Sequence, residues 1–321
     1  MKSPLFEGFD YVHQVSDLDL SVVRECDWAS CIAGDQLELI ECPLLLRRER
    51  YDHSKAILHW HEDFHAIYIV RGGRGIRVVN KHAHSMARGD IFLMAPQTTH
   101  CFQAPVDLTI DALYFQAELW PIKEWSSLGE LPDMMAYFEA GDKGFEARGY
   151  TDHFGHLSPE LHARVEATLG QIRHELKRGQ RPYQLSARAR LFALLVQLAD
   201  WRADKTFATR PARGAGIAEV LTFCDNNFHR ALSNEQLAEL MNFSEGHFRE
   251  VFTREVGMSP GAYIGHLRLR HAQELLENKT LSVADIARQS GFSDSSQLGR
   301  AFKKAFGISP LGFRKQLKVS A

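Results

Sequence analysis

Residues 237–260, LAELMNFSEGHFREVFTREVGMSP, return in altered form at 286–310, IARQSGFSDSSQLGRAFKKAFGISP. Each copy holds a short apolar helix, a turn, Phe-Ser, an amphipathic helix ending in Phe, then Gly and Ser-Pro. The second copy carries one extra residue between its Phe-Ser and the later Phe. The turn needs a residue that tolerates positive φ, and Asn242 and Gly291 are of the types that visit that region most readily. Ser244 and Ser293 then stand where an N-cap belongs. Phe248 and Phe252, and Leu298 and Phe302, lie four apart and are expected to bury against the preceding helix. Gly257 and Gly307 end the second helices, and Pro260 and Pro310 prevent their continuation. Each copy reads as a helix-turn-helix.

If the copies read DNA, the exposed N-terminal half of each second helix enters a major groove. That presents Glu245, Gly246, His247, Arg249 and Glu250 from the first, and Ser295, Ser296, Gln297, Gly299 and Arg300 from the second. Arg suits guanine, Gln suits adenine, and Glu250 suits accepting from cytosine. Arg254, Lys303, Lys304, Arg314 and Lys315 are candidate phosphate partners, which give affinity and salt dependence but no sequence information. Formal net charge is only −2, yet from Asp285 onward seven basic residues face two acids, a local basic tip. A helical bundle with merely solvated charges would not need paired turn residues, caps and Ser-Pro stops in tandem.

GFSDSSQLGRAFKKAFGISPLGFR, with the upstream SVADIA and the first copy, resembles the DNA-binding domain of AraC-type bacterial transcription regulators. The resemblance covers about the last hundred residues. It implies two helix-turn-helix units joined by a long helix, here PGAYIGHLRLRHAQELLENKT, inserted into successive major grooves of double-stranded promoter DNA. By position it places base reading on Gly246, Arg249 and Glu250, and on Ser295, Ser296, Gln297, Gly299 and Arg300. Gly246 and Gly299 bring no side chain to that task.

Upstream, residues 36–116 read as short strands. ILHWH, HAIYIVRG, GIRVVN, DIFLMAP and LTIDALYF are separated by RGGRG, NKHAH and ARGD turns, the pattern of an antiparallel barrel or sandwich. His82 and His84 fall in the NKHAH hairpin turn and receive no role. HWHEDFH, 59–65, concentrates three histidines. Residues two apart in a strand share a face, so His59, His61 and His65 are expected to point together. With Gly89, Pro96 and His100 downstream, this resembles the cupin barrel, and the sensor domain of sugar-responsive AraC-type regulators. DFHAIYIVRGGRGIRV is similar to the rhamnose-responsive members in particular. Metal-holding cupins usually carry Glu after His-x-His. At three-residue spacing His65 takes that position; at four, with a bulge, Ala66 does and a ligand is missing.

Three readings follow for His59, Trp60, His61, His65 and His100. They form an effector pocket for a small polar molecule such as a sugar. Alternatively His59, His61, His65 and His100 hold a divalent zinc, nickel or iron ion. The third reading gives them no ligand role.

From 157 to 204 the period changes to that of helices. Leu161, Val165, Leu169, Ile172 and Leu176 form one stripe, with Ser158 as N-cap, Pro159 in the first turn and Gly179 as stop. Leu191, Leu194, Leu195, Leu198 and Trp201 form another. These stripes are expected to pack on the barrel or on a second chain, and in the family such helices often make a homodimer. KTFATRPARGAG has no apolar period and reads as a linker.

The expected architecture is α+β in two domains. Residues 1–150 form a cupin-like sensor barrel, 151–204 a helical dimerisation segment, 205–215 a linker and 216–317 the all-α tandem helix-turn-helix. Residues before about 36 are either an arm or a tail. Five cysteines without CxxC favour reduced thiols in the cytoplasm over a disulfide framework. No window approaches a membrane span, and no apolar leader opens the chain. The expected function is a ligand-responsive transcription factor rather than an enzyme, contacting RNA polymerase if it activates. The alternative is a metal-dependent cupin dioxygenase or isomerase with an accessory DNA-binding domain.

Overall fold

The computed structural model describes residues 24–32, 42–51, 58–79, 82–131, 154–203, 208–209 and 215–319. The arm or tail expected before residue 36 therefore lies mostly outside the described residues, as does most of the 205–215 linker. Among the described residues nine strands form one sheet: β1 (Arg24–Cys26), β2 (Leu44–Tyr51), β3 (His59–His61), β4 (His65–Val79), β5 (His82–Ala87), β6 (Asp90–Met94), β7 (His100–Phe115), β8 (Phe154–His156) and β9 (Ala208–Thr209). The path runs β1-β3-β7-β4-β6-β8-β9, with β2 added on β7 and β5 on β4. Every pair is antiparallel except β1–β3. Among the described residues the ladder does not close, so the expected barrel is a rolled half-barrel. His82 and His84 belong to β5, paired with Val79 and Arg77, and not to the turn.

The roll comes from the middle of β4. Residues 65–70 pair with 110–115 of β7, and 76–79 pair with 100–103, with register shifts between Val70 and Ile76. Gly73 has φ +72°, and a Cβ there would lie 2.1 Å from the Asp107 carbonyl oxygen. Only glycine allows the two long strands to approach this closely while turning.

One face of the sheet encloses Phe64, Ala66, Tyr68, Val70, Phe92, Met94, Phe102, Ile110 and Tyr114. The other buries Ile67, Ile69, Ile91, Leu93, Leu113 and Phe115 beneath two helices. Short helices α1 (Trp28–Ile32) and α2 (Ile122–Leu128) flank the strands. The covering pair is α3 (Pro159–Arg178) and α4 (Arg181–Ala203). Ser158 caps α3 by accepting from the Leu161 amide, and Gly179 closes it in the left-handed region. Leu161, Val165, Leu169, Ile172, Leu191, Leu194, Leu195 and Leu198 all pack on the chain's own sheet. The stripes that suggested a second chain are thus already covered. Asp111, fully buried, pins this layer by pairing with Arg48, Arg71 and Arg173.

The C-terminal half is helical: α5 (Ala215–Asn227), α6 (Asn234–Glu239), α7 (Glu245–Val256), α8 (Pro260–Glu277), α9 (Val283–Gln289), α10 (Ser295–Phe306) and α11 (Pro310–Val319). Both turns contain the expected left-handed residue, Asn242 at φ 53° and Gly291 at φ 79°. Phe248, Phe252, Leu298 and Phe302 are fully buried. Ser244 caps α7 as expected, but α10 is capped by Asp294, whose carboxylate accepts from the Gln297 amide. The extra residue of the second copy moves the cap one place on, and Ser293 instead donates its hydroxyl to Asp294 and Gln297.

The halves meet where Ala87 joins the core of Ile217, Val220, Leu221, Phe248 and Tyr263. Asp225 is buried there, and burial pushes its carboxyl up to about 6 against the pull of Arg88 and Arg270.

Replacing the cap should be felt and replacing its neighbour should not. Asp294→Ala is expected to lower the melting temperature of the full chain, whereas Ser293→Ala should leave it nearly unchanged, as read by calorimetry.

Candidate functional site

Strand β3 begins against the start of β7, with His59 opposite His100 in register. Their rings lie 4.2 Å apart, and His61 lies 4.8 Å from His100. One ligand nitrogen from each of His59, His61 and His100 falls within 4.8 Å of the others. The Tyr68 hydroxyl reaches both His61 Nε2, at 3.2 Å, and His100 Nε2, at 3.4 Å. His100 Nδ1 is 2.9 Å from the Thr98 carbonyl, which requires the proton on that nitrogen and leaves Nε2 as an acceptor. Burial, helped by His59 and Arg77, holds His61 and His100 well below the usual imidazole range. Both are neutral near pH 7.

His65 does not join them. Residues 62–64 leave the extended conformation between β3 and β4. The Asp63 carboxylate accepts there from the Trp28 amide and from Gln116. Face-sharing at two-residue steps requires an unbroken strand, and this bend resets it. His65 stacks on Phe115 and meets Trp125 edge-on, on the helix-covered face. Ala66 takes the interior position, so the four-residue spacing holds and the Glu of metal-holding cupins is replaced by Ala. Trp60 lies between His59 and His61 in β3 and so faces away from them. His59, His61 and His100 are brought together; His65 and Trp60 are not.

Sequence reasoning missed the rest of this interior. Tyr114 and Tyr51 both donate to the Glu49 carboxylate. Arg77 is fully buried, with its Cζ 4.3 Å from the Tyr68 ring centroid and 4.5 Å from that of Phe102. None of its three guanidinium nitrogens has a hydrogen-bond partner. Strand alternation could have found Tyr68, two residues beyond Ala66, once the bend at 62–64 was known. A metal ion fits the three imidazoles as donors, and the Thr98 contact is of the kind that orients a ligating histidine. The buried Arg77 charge opposes it, because a dication would add positive charge beside an unpaired guanidinium.

The expected DNA face is exposed. Glu245, Gly246, His247, Arg249 and Glu250 on α7 are all solvent-facing, as are Ser295, Ser296, Gln297 and Arg300 on α10, with Gly299 half-buried. A Cβ at Gly246 or Gly299 would meet nothing within 4 Å, as at a surface kept open for a partner. Gln297 is partly committed: its side-chain oxygen accepts from the Ser293 amide at 2.8 Å. Reading adenine needs that oxygen as well as the amide nitrogen. Arg254, Lys303, Lys304 and Lys315 are exposed. Arg314 is half-buried and donates to the carbonyls of Leu276 and Asn278 at the end of α8, so its guanidinium is already partly engaged.

A family model described as the AraC-like ligand binding domain matches residues 41–195, and a helix-turn-helix domain model matches 237–316. The HTH-type transcriptional activator RhaR of Pectobacterium atrosepticum is 30% identical over 280 residues, covering 84% of this chain and 89% of that protein. The RhaR of Klebsiella pneumoniae is 27% identical over 278 residues, covering 85% and 92%. Among solved structures, the DNA-binding domain of AdpA in complex with a target DNA is similar at 27% identity. It covers 33% of this chain and 96% of that one, with a TM-score of 0.32. The chain thus has the two halves of a transcription regulator, one binding a ligand and one binding DNA. It belongs to the AraC-type regulators.

Two outcomes test this geometry. Arg300→Ala should cost about 1–3 kcal/mol in specific operator binding, while Gln297→Ala should cost less, in titrations at fixed salt. Below pH of about 6.5 the unfolded imidazoles take up protons that His61 and His100 in the fold do not. Stability should therefore fall from pH 7 to pH 5, and His100→Gln should flatten that slope.

Proposed function

We propose that the interior of the rolled sheet is the effector pocket and that α7 and α10 read the operator. The observation that carries this is the convergence of His59, His61, His100 and Tyr68 on one buried face of the ligand-binding half. Neutral imidazoles and a phenol suit hydroxyl groups, so a small sugar-like molecule is the effector class. Arg249, Glu250, Ser295, Ser296 and Arg300 specify bases, with Gln297 in a lesser part. Arg254, Lys303, Lys304 and Lys315 hold phosphates.

Effector binding acts by its differential affinity for two arrangements of the halves, shifting a pre-existing equilibrium. The protein works as an activator, as the names of its RhaR relatives suggest, and in that role contacts RNA polymerase. It is a sensor and not an enzyme: Ala66 stands where a carboxylate ligand would be, and Arg77 disfavours a dication. Its place is the cytoplasm, in keeping with a DNA partner and five free cysteines. It binds as a homodimer, through a face other than the stripes of α3 and α4; a monomer at tens of micromolar in sedimentation would contradict this.

The test is a titration of the full chain with duplex DNA recovered by selection, repeated across salt concentrations. The logarithm of affinity should fall linearly with the logarithm of salt. His61→Ala should keep that operator affinity and lose the response to the effector. Loss of both, or no salt dependence, would contradict the division of labour.

A further inference from the structure

Arg77 is a buried charge in the interior whose presence the reading above does not explain. It sits in β4 opposite Phe102 of β7, on the same face as Tyr68. It is completely buried, and all three guanidinium nitrogens lack hydrogen-bond partners. An isolated buried charge is costly, and proteins ordinarily pair it or remove it. Here the Tyr68 and Phe102 rings, with Phe92 at 5.4 Å, supply cation–π attraction and the Tyr68 oxygen favours the charged form, but among the described residues no carboxylate pairs with it. Ring faces attract the charge and use none of its N–H donors. Those five donors form a planar fork whose natural partner is a carboxylate.

The half-buried Glu49 carboxylate is engaged by the hydroxyls of Tyr51 and Tyr114 and forms no ion pair with Arg77. On the other side of Arg77, the Tyr68 hydroxyl leads directly to His61 and His100. One face thus offers an unsatisfied cation beside a phenol and two neutral imidazoles.

We infer that the effector is a small hydroxylated carboxylic acid of the sugar-acid class, its carboxylate received by Arg77 and its hydroxyls by Tyr68, His61 and His100. This rests on the interior being the effector pocket. The half-buried Tyr51 ring lies 4.8 Å from Phe102, at the Arg77 end of the interior. A neutral sugar would leave the guanidinium charge uncompensated.

The test uses the full chain and matched probes: L-rhamnonate, D-galacturonate and D-glucuronate, each beside its neutral parent, L-rhamnose, D-galactose and D-glucose. Calorimetric titration and melting temperature are read at one pH and salt. At least one acid should bind about tenfold or more tightly than its parent. Arg77→Met should abolish that preference, and without ligand it should melt at or above the wild-type temperature, because it removes an unpaired buried charge. Parents binding as tightly as acids, or acid binding surviving in Arg77→Met, would overturn the acid assignment and leave the pocket standing. Silence from all six probes would overturn the sugar-acid assignment and the polyol pocket together. Operator binding by the same preparation distinguishes that result from misfolding. If Arg77→Met does not fold, the comparison of acids with parents on the wild-type chain decides alone.

Discussion

Two hydrophobic cores share a single helix, and the DNA-binding half depends on it. Tyr263, Ile264 and Leu267 near the start of α8 close the core around Phe248 and Phe252, while Ala272 and Leu276 near its end close the core around Leu298 and Phe302. At 18 residues the helix is about 27 Å long, from a rise of 1.5 Å per residue. Its middle and its C-terminal end are tied by matching devices. Arg268 donates to the carbonyls of Phe228 and Arg230 after α5, and Arg314 does the same for Leu276 and Asn278 at the end of α8. Neither reading helix can shift without disturbing a core that contains part of α8.

The same helix faces the ligand-binding half. Tyr263 lies 6.2 Å from His156, which is bonded to Asp90. Arg270 neighbours Asp225 and Arg88, and Arg88 pairs with Glu166 of α3. These charges link the layer behind the sheet to the helix that spaces the readers. On the sheet side, the bend at Gly73 sets the arrangement. By allowing β4 to turn against the Asp107 carbonyl, it lets Arg77 face the same interior as Tyr68, and the interior and the contact with α5 follow from one turn.

Much of the DNA-binding half was legible in the sequence because its determinants are local. A left-handed turn residue, a cap, a four-residue apolar step and a glycine stop each act within a few positions, and Asn242, Ser244, Phe248 and Gly257 all fell where they were read. The slip at the second cap, Ser293 for Asp294, came from a single inserted residue that moves the cap. The histidine cluster was less legible because its determinants are not local. His65 was grouped with His59 and His61 by strand alternation, and a bend of three residues reversed it. Tyr68 and Arg77 meet the histidines only because β4 and β7 roll together, which no window of sequence contains. The stripes of α3 and α4 were correctly apolar, but periodicity alone does not say whether the covered surface is the chain's own sheet or a partner.

The α8 helix holds the two helix-turn-helix units at a fixed spacing. Hydroxyl-radical footprinting of the full chain on a selected operator tests this most directly. Two protected clusters on one face of the duplex, about one helical turn or 10 base pairs apart, are the expected result. A single protected cluster, or two whose separation varies from operator to operator, would contradict it.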